Sequence, residues 1–251
     1  MGSMMANWTA AAGSQVMLAD NAVDFSAHYL MPINLFGQTV YLTTTHVTTF
    51  IVAVVIITLA LYARHQIMKE DYEVPNGVQN AIEMLVEFLS GVVKGSMGRH
   101  ARPFINYVAT IMIFIFISNT SGLFGLRPPT ADYGTTLALA LITFVLIQYS
   151  AIKTSKFRAF TNLAKPIPIL LPINIIGEFA VPLSLSLRLF GNMIAGTVMM
   201  ALWYGLLPIF VKIGIPTFLH AYFDLFSGAI QTYVFAMLTM VYITDKRDAE
   251  D

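Results

Sequence analysis

Residues 182–195 read PLSLSLRLFGNMIA, and this stretch decides the fold because it places one arginine in an otherwise apolar run. The flanking sequences, PIPILLPINIIGEFAV (166–181) and GTVMMALWYGLLPIF (196–210), are also predominantly apolar. An arginine at the centre of a membrane helix costs between about 2.5 and more than 10 kcal/mol, depending on the measure. Arg188 is therefore expected to be functional and to have a counter-ion.

The whole chain shares this apolar character. Its 251 residues are 57% hydrophobic and 11% charged, with a mean hydropathy of +0.70, whereas a soluble domain has about 25% charged residues. The composition predicts an all-α polytopic membrane protein. Zero net charge gives no reason to expect a nucleic-acid partner. The chain has no cysteine, no histidine pair at ligand spacing and no GxxxxGK loop, so we expect no metal, no cofactor and no ATP binding by this chain.

Five apolar segments are long enough to cross a bilayer, which takes about 20 apolar residues. They are residues 47–63, 104–126, 133–152, 173–207 and 216–244. The fourth would reach about 50 Å as a straight helix, whereas the hydrocarbon core is about 30 Å thick. The fourth segment is therefore predicted to tilt strongly, to break, or both, with Pro182 and Gly191 as candidate bend points.

Residues 78–97 have a different pattern, with apolar side chains recurring at spacings of three and four. The opposite side carries the polar residues Gln79, Asn80, Glu83, Glu87 and Lys94. This pattern predicts an amphipathic helix that is too polar to span the membrane. It is expected either to lie on the membrane surface or on partner helices, or to be a solvated helix packed against the bundle.

The basic residues predict the orientation, because cytoplasmic loops carry an excess of Lys and Arg. Arg127 and Lys212 lie at one set of segment ends, and Arg188 lies within a segment. The other eleven of the fourteen lie at the opposite ends: Arg64, Lys69, Lys94, Arg99, Arg102, Lys153, Lys156, Arg158, Lys165, Lys246 and Arg247. Five crossings with the N-terminus outside satisfy this distribution. Residues 1–46 are then an extracytoplasmic segment without a signal-peptide pattern, and 47–251 a single membrane domain.

Of the fourteen acidic residues, only Glu178 and Asp224 lie well within apolar segments. Glu178 and Arg188 are ten residues apart, or about 15 Å along a helix axis, so they cannot pair directly. Asp224 is on another helix and could approach. For both acids the wall of an aqueous cavity is favoured over a satisfied structural carboxylate. Asp132, at a segment edge, is favoured as a helix N-cap over a place in an ion pathway.

Small residues share the helix face of Arg188. At 100° per residue, the following fall within about 60° of it: Ser184, Gly191, Asn192, Ala195 and Met199. On the last helix, one face carries Asp224, Ser227, Gly228 and Gln231. Because small residues let another helix approach, we expect the two helices to form a small, polar surface with one fixed positive charge. Its natural counter-ion is a carboxylate on another chain. The alternatives are a structural ion pair for Arg188 and hydrogen bonds within the bundle for the two amides.

The motifs PLSLSLRLFGNMIAG (182–196) and GAIQTYVFAMLTMVYI (228–243) together closely resemble subunit a of rotary F-type ATP synthases. PTADYGTTLALAL (129–141) resembles the corresponding stretch of bacterial members. The resemblance covers the chain from the first span onward, including the order of its segments. It implies a stator subunit in the bacterial inner membrane, with its last two helices steeply tilted against a ring of c subunits. Its other partners would be the peripheral stalk b subunits, the rest of the synthase and the lipid bilayer.

The resemblance also implies roles for individual residues. Two offset aqueous half-channels would load and unload a proton or a sodium ion on a c-ring carboxylate, and Arg188 would separate them. Asn192 and Gln231 match the family's neighbouring Asn and C-terminal Gln, and Ser184 shares the arginine's face.

Two departures from the family pattern concern Thr197 and Asp224. Many members have a glutamate where Thr197 stands, and a His or Glu where Asp224 stands. In the half-channel to which these two positions belong, the polar role is therefore assigned to Asp224, with a contribution from Glu178. The choice between a proton and a sodium ion stays open.

Two other functional classes compete with this interpretation. A secondary transporter could use Arg188 to bind an anionic substrate, but such folds show inverted repeats and helices broken at matched positions. No such internal symmetry is present in the sequence. An intramembrane enzyme would need paired aspartates, a Ser/His arrangement or a metal cluster, and the sequence has none of these patterns.

Overall fold

The computed structural model of the chain describes residues 29–35, 38–68, 77–155, 169, 171–206 and 215–248. The terminal residues 1–27 and the basic residues Lys69, Lys156, Arg158, Lys165 and Lys212, which the sequence analysis used, lie outside this part. The described helices are α1 (Thr44–Ile67), α2 (Gly77–Met97), α3 (Ile105–Thr120), α4 (Tyr133–Ser155), α5 (Leu171–Leu206), α6 (Ile215–His220) and α7 (Gly228–Asp248). A π-helical segment, Ala221–Ser227, joins α6 to α7.

A short antiparallel hairpin precedes the helices. Strand β1 (Tyr29–Leu35) pairs with β2 (Gln38–Thr43), from Leu35 opposite Gln38 to Tyr29 opposite Thr43. The sequence analysis does not predict this hairpin. Because β2 runs directly into α1, the hairpin lies at one end of the first membrane helix. The all-α class is confirmed for the membrane domain that follows.

Five helices of the described chain are long and apolar enough to cross a membrane, and they match the five predicted spans. The fourth, α5, is one unbroken helix of 36 residues with Pro182 inside it. Its length is about 54 Å at 1.5 Å per residue. Of the two predicted outcomes, breaking is therefore wrong. Strong tilt is what lets a helix of this length fit a hydrocarbon core of about 30 Å.

Helix α2 is the predicted amphipathic helix, and it does not qualify as a span. Its C-terminal half packs against the bundle through Leu89, Val93 and Met97, which are buried. The apolar residues of its N-terminal half, among them Leu85 and Val86, are exposed. The bundle-packed alternative therefore describes the second half of this helix.

Helix α7 lies at the centre of the bundle, because its buried face contacts two core clusters. In the first, Ala236 and Met240 pack with residues of α2, α3 and α4. In the second, Phe235 packs with Leu185 and Leu189 of α5 and with apolar residues of α3 and α4. The central helix thereby fixes the position of α5, which carries Arg188.

A chain of buried hydrogen bonds joins α3 to α7. The Thr130 hydroxyl donates to Asn119 Oδ1 over 2.7 Å, and Asn119 Nδ2 donates to the Gly228 carbonyl oxygen over 3.1 Å. The Asn119 and Thr130 side chains are fully buried. A Cβ at position 228 would lie only 2.9 Å from the Cβ of Asn119, so α3 and α7 approach closely at this point. Interhelical hydrogen bonds of this kind are worth about 0.6 to 2 kcal/mol in a membrane.

We predict that Gly228→Ala destabilises the bundle by about 1 to 3 kcal/mol, because the added methyl group must push α7 away from Asn119. The free energy of unfolding of the purified protein in detergent measures this. Gly95→Ala is the matched control, since no atom lies within 4 Å of the added Cβ. Equal stability of the two variants would contradict the close contact between Gly228 and Asn119.

Candidate functional site

Arg188 lies on the face of α5 that points away from the bundle. The buried side of this helix is formed by Leu185, Leu189 and Met193. The arginine is exposed, as are Ser184, Ala195 and Met199, while Gly191 and Asn192 are half-buried. The predicted stripe of mostly small residues is therefore a continuous outer surface of the helix.

The Arg188 guanidinium makes no hydrogen bond or ion pair within the part of the chain that the structure describes. The two acidic residues inside the spans are engaged elsewhere, one with Lys246 and the other with His220. The alternative of a structural ion pair within the bundle thus finds no partner among the described residues.

Glu178 is held by two residues of neighbouring helices. Gln148 Nε2 of α4 donates to Glu178 Oε2 over 2.7 Å, and Lys246 Nζ of α7 forms an ion pair with Oε1. The Glu178 side chain is 21% exposed. The sequence favours a place for Glu178 in the wall of an aqueous cavity. The geometry is instead that of a carboxylate whose two oxygens are each satisfied, and its part in an ion pathway stays a prediction.

The next residue of α7 strengthens the same end of the bundle. Arg247 Nε donates to the Ser150 hydroxyl of α4 over 2.9 Å, and its guanidinium lies 4.9 Å from the centre of the Phe104 ring. Both cations are in the last turn of α7, where positive charge interacts favourably with the helix dipole. The C-terminal end of the central helix is therefore fastened to its neighbours by charged contacts.

Asp224 lies in the π-helical segment, with its side chain 13% exposed. His220 Nδ1 is 2.9 Å from Asp224 Oδ2. The carboxylate also packs against Gly122, in the 3₁₀ turn Ser121–Phe124 that ends the second span, since a Cβ there would lie 2.9 Å from Oδ2. Asp224 is thus enclosed between its own helix and the end of α3.

One hydrogen bond connects the two polar stripes predicted from the sequence. The Ser227 hydroxyl donates to Asn192 Oδ1 over 3.0 Å. The stripe of the last helix turns inward, because Gly228 is buried and Gln231 is only 7% exposed. The expectation that both stripes form one surface is therefore corrected: the stripe of Arg188 faces out, the other faces in, and they meet at Asn192.

Gln231 is unusual among the inward-facing residues. Its Nε2 atom is buried and has no hydrogen-bond partner in the described part of the chain. Thr197, by contrast, is exposed, and its hydroxyl donates to the Met193 carbonyl oxygen of its own helix. Gln231 thus keeps a buried donor that no described residue satisfies.

Asp132 is confirmed as a helix cap. Its Oδ1 accepts a hydrogen bond of 2.9 Å from the backbone N–H of Gly134, near the start of α4. A side-chain oxygen that satisfies a free N–H of the first turn is the usual N-cap arrangement.

The family model described as "ATP synthase A chain" matches residues 46–244. This chain belongs to the ATP synthase A chain family. A curated relative, the "ATP synthase subunit a, sodium ion specific" of Propionigenium modestum, is 40% identical over 187 residues. The alignment covers 68% of this chain and 63% of the relative, so it spans less than two thirds of that protein's length. The resemblance that the motifs indicated is confirmed.

Several residues that contact the site were not predicted from the sequence. His220 could have been found, because it lies one helical turn before Asp224, at the spacing at which side chains meet. Gly122 and Lys246 gave no such signal. Each is far from its partner in sequence, and only the packing of the helices brings Gly122 to Asp224 and Lys246 to Glu178.

We predict that the ion pair between Lys246 and Glu178 has a coupling energy of about 1 to 3 kcal/mol, between the values of exposed and buried pairs. Lys246→Met and Glu178→Gln, alone and combined, measure it in a double-mutant cycle on unfolding in detergent. Lys246→Arg, which keeps the charge, should retain most of the stability. Strictly additive effects of the two substitutions would show that the pair contributes nothing.

Proposed function

We propose that this chain is the ion-translocating stator subunit of a rotary ATP synthase. It couples a flow of protons or sodium ions across the membrane to rotation of a ring of c subunits, and through the ring to ATP synthesis. The observation that carries the proposal is Arg188, exposed midway along α5 and without a partner among the described residues.

An arginine on the outer face of a membrane helix needs a counter-charge, because hydrocarbon solvates the guanidinium poorly. Within the described spans the acidic residues Glu178 and Asp224 already have partners. The counter-charge is therefore a carboxylate on another chain, and the small residues beside Arg188 let that chain come close. At a separation of about 4 Å and an effective dielectric near 20, the pair is worth about 4 kcal/mol before desolvation. This is enough to displace an ion from the carboxylate, yet weak enough to break.

The polar groups beyond Arg188 support two separate ion pathways. Asn192 lies one turn along α5 and contacts the π segment that carries Asp224. Glu178 lies about 15 Å from Arg188 in the opposite direction along the axis. We assign one half-channel to Asp224, Asn192 and Gln231, and the other to the side of Glu178, with Ser184 on the outer face between Glu178 and the arginine. Arg188 separates the two and prevents leakage without rotation.

The alternation of basic residues supports an orientation with the N-terminus outside and the C-terminus in the cytoplasm. In this orientation Glu178, Lys246 and Arg247 lie on the cytoplasmic side, and Asp224 lies toward the outside. The bilayer, the c ring, the peripheral stalk b subunits and the rest of the synthase are the proposed partners, in a bacterial inner membrane. Each ion that crosses 100 mV supplies about 2.3 kcal/mol, so several ions are needed for one ATP.

We predict that Arg188→Ala abolishes ion-coupled ATP synthesis while leaving membrane insertion intact, because no other described residue can replace its charge against the ring. The measurement is ion pumping driven by ATP hydrolysis in sealed vesicles, with assembly checked on the same preparation. Arg64→Ala is the control, since Arg64 is exposed in the last turn of α1 and its side chain hydrogen-bonds only to Met68 among the described residues. Normal pumping by an assembled Arg188→Ala complex would refute the assignment.

We predict that Asp224→Asn slows transport several-fold without uncoupling it, because an amide cannot take up the ion but preserves the shape of the side chain. Turnover is compared across pH in the same vesicles. Asp132→Asn is the matched control, because asparagine caps a helix as well as aspartate does. Unchanged turnover in Asp224→Asn at every pH would give Asp224 a structural role only.

A further inference from the structure

We infer that two positioning residues control the Asp224 carboxylate: His220 sets its charge, and Gly122 sets its place. The inference rests on the proposed role of Asp224 in an ion pathway. Neither residue belongs to the motifs that indicate the family, and they reach Asp224 from different elements.

His220 acts from one helical turn before Asp224. Its Nδ1 lies 2.9 Å from Oδ2, and because an ionised carboxylate can only accept, the ring nitrogen donates. The imidazole is 35% exposed and the carboxylate 13% exposed, so the ring lies on the side of the pair that is more accessible to water. Imidazole changes its charge between about pH 5 and 8. A protonated ring neutralises the carboxylate and opposes cation uptake there, whereas a neutral ring leaves a net negative charge that attracts a cation.

Gly122 acts from the opposite wall. A Cβ at this position would lie 2.9, 3.0 and 3.1 Å from Oδ2, Cγ and Oδ1 of Asp224. The whole carboxylate therefore lies flat against the bare α-carbon. Any side chain at position 122 would push the carboxylate off this site, and His220 would have to move with it.

The π segment presents the carboxylate to this wall. Its hydrogen bonds span five residues rather than the four of an α-helix, and it ends directly before Gly228, which is fixed against Asn119. Residues before Gly228 are therefore rotated relative to those after it. This rotation directs Asp224 toward the end of α3, while Ser227 contacts Asn192 of α5.

Within the part of the chain that the structure describes, few other charges face the Asp224 carboxylate. Helix α3 and the turn Ser121–Phe124 carry no charged residue. Helix α5 carries Glu178, which is paired with Lys246, and Arg188, which makes no hydrogen bond or ion pair with Asp224 among the described residues. Asp132 and Arg127 lie on the segment beyond the turn, and Asp132 is bound to the Gly134 N–H. His220 is thus the titratable group in direct contact with Asp224.

The first test uses the whole synthase in sealed vesicles, with the pH varied from 5.5 to 7.5 on the side to which Asp224 opens. His220→Gln keeps a hydrogen-bond donor but cannot titrate. We compare the pumping rate of His220→Gln, divided by that of the wild type, at each pH. We expect this ratio to fall by about three- to tenfold between pH 5.5 and pH 7.5. At the higher pH the wild type gains, at residues 220 and 224, the net negative charge that the variant already has. His220→Ala should lose rate at every pH. A pH-independent ratio for His220→Gln would overturn the role of His220.

The second test is a double-mutant cycle of Gly122→Ala with Asp224→Ala, with Gly95→Ala as the control that meets no neighbour. We expect Gly122→Ala to slow pumping at least about threefold in the native background and to have no effect once the Asp224 side chain is gone. If Gly122→Ala alone does not assemble, assembly of the double variant with Asp224→Ala supports the contact between Gly122 and the carboxylate. Failure in both backgrounds, or equal slowing in both, overturns it.

The proposed function and this inference fail separately. Unchanged turnover in Asp224→Asn removes Asp224 from the ion pathway itself. Slow turnover in Asp224→Asn supports the ion pathway. If the His220→Gln ratio is then independent of pH and Gly122→Ala pumps normally, only the roles of the two positioning residues are refuted.

Discussion

The bundle depends on one close contact, where the backbone of Gly228 lies against the side chain of Asn119. In lipid there is little hydrophobic force between helices, so close packing and interhelical hydrogen bonds hold the bundle together. This contact fixes α7 on α3, and α7 in turn contacts α2, α4 and α5 through its buried face. The π segment ends directly before this fixed point, so the polar residues that it carries are positioned relative to a rigid part of the bundle.

The charges within the spans fall into two kinds. Glu178 and Asp224 have partners, at opposite ends of the last helix. Arg188 has none among the described residues and faces outward. A bundle that satisfied every charge internally would be more stable, because an unpaired charge in hydrocarbon is expensive. The described part of the bundle therefore leaves one positive charge without a counter-charge.

Much of this fold could be predicted from the sequence, because length and apolar periodicity specify membrane helices directly. The five spans, the amphipathic α2 and the Asp132 cap followed from such local rules. The inward face of the last helix did not, since counting at 100° per residue fails across a π segment. The ion-pair partner of Glu178, Lys246, lies 68 residues away, and the Asp224 carboxylate packs against a glycine, Gly122. Contacts of that kind depend on how helices cross, which a single sequence does not record.

The length of α5 has a mechanical consequence. A tilted helix adapts to a thinner or thicker bilayer by rocking, and rocking displaces its ends most and its centre least. Arg188 stands at the midpoint of the 36 residues. The guanidinium therefore sits near the pivot, and its depth stays nearly constant while the ends of the helix rise or sink. The depth of this charge is thereby insulated from changes in the thickness of the membrane.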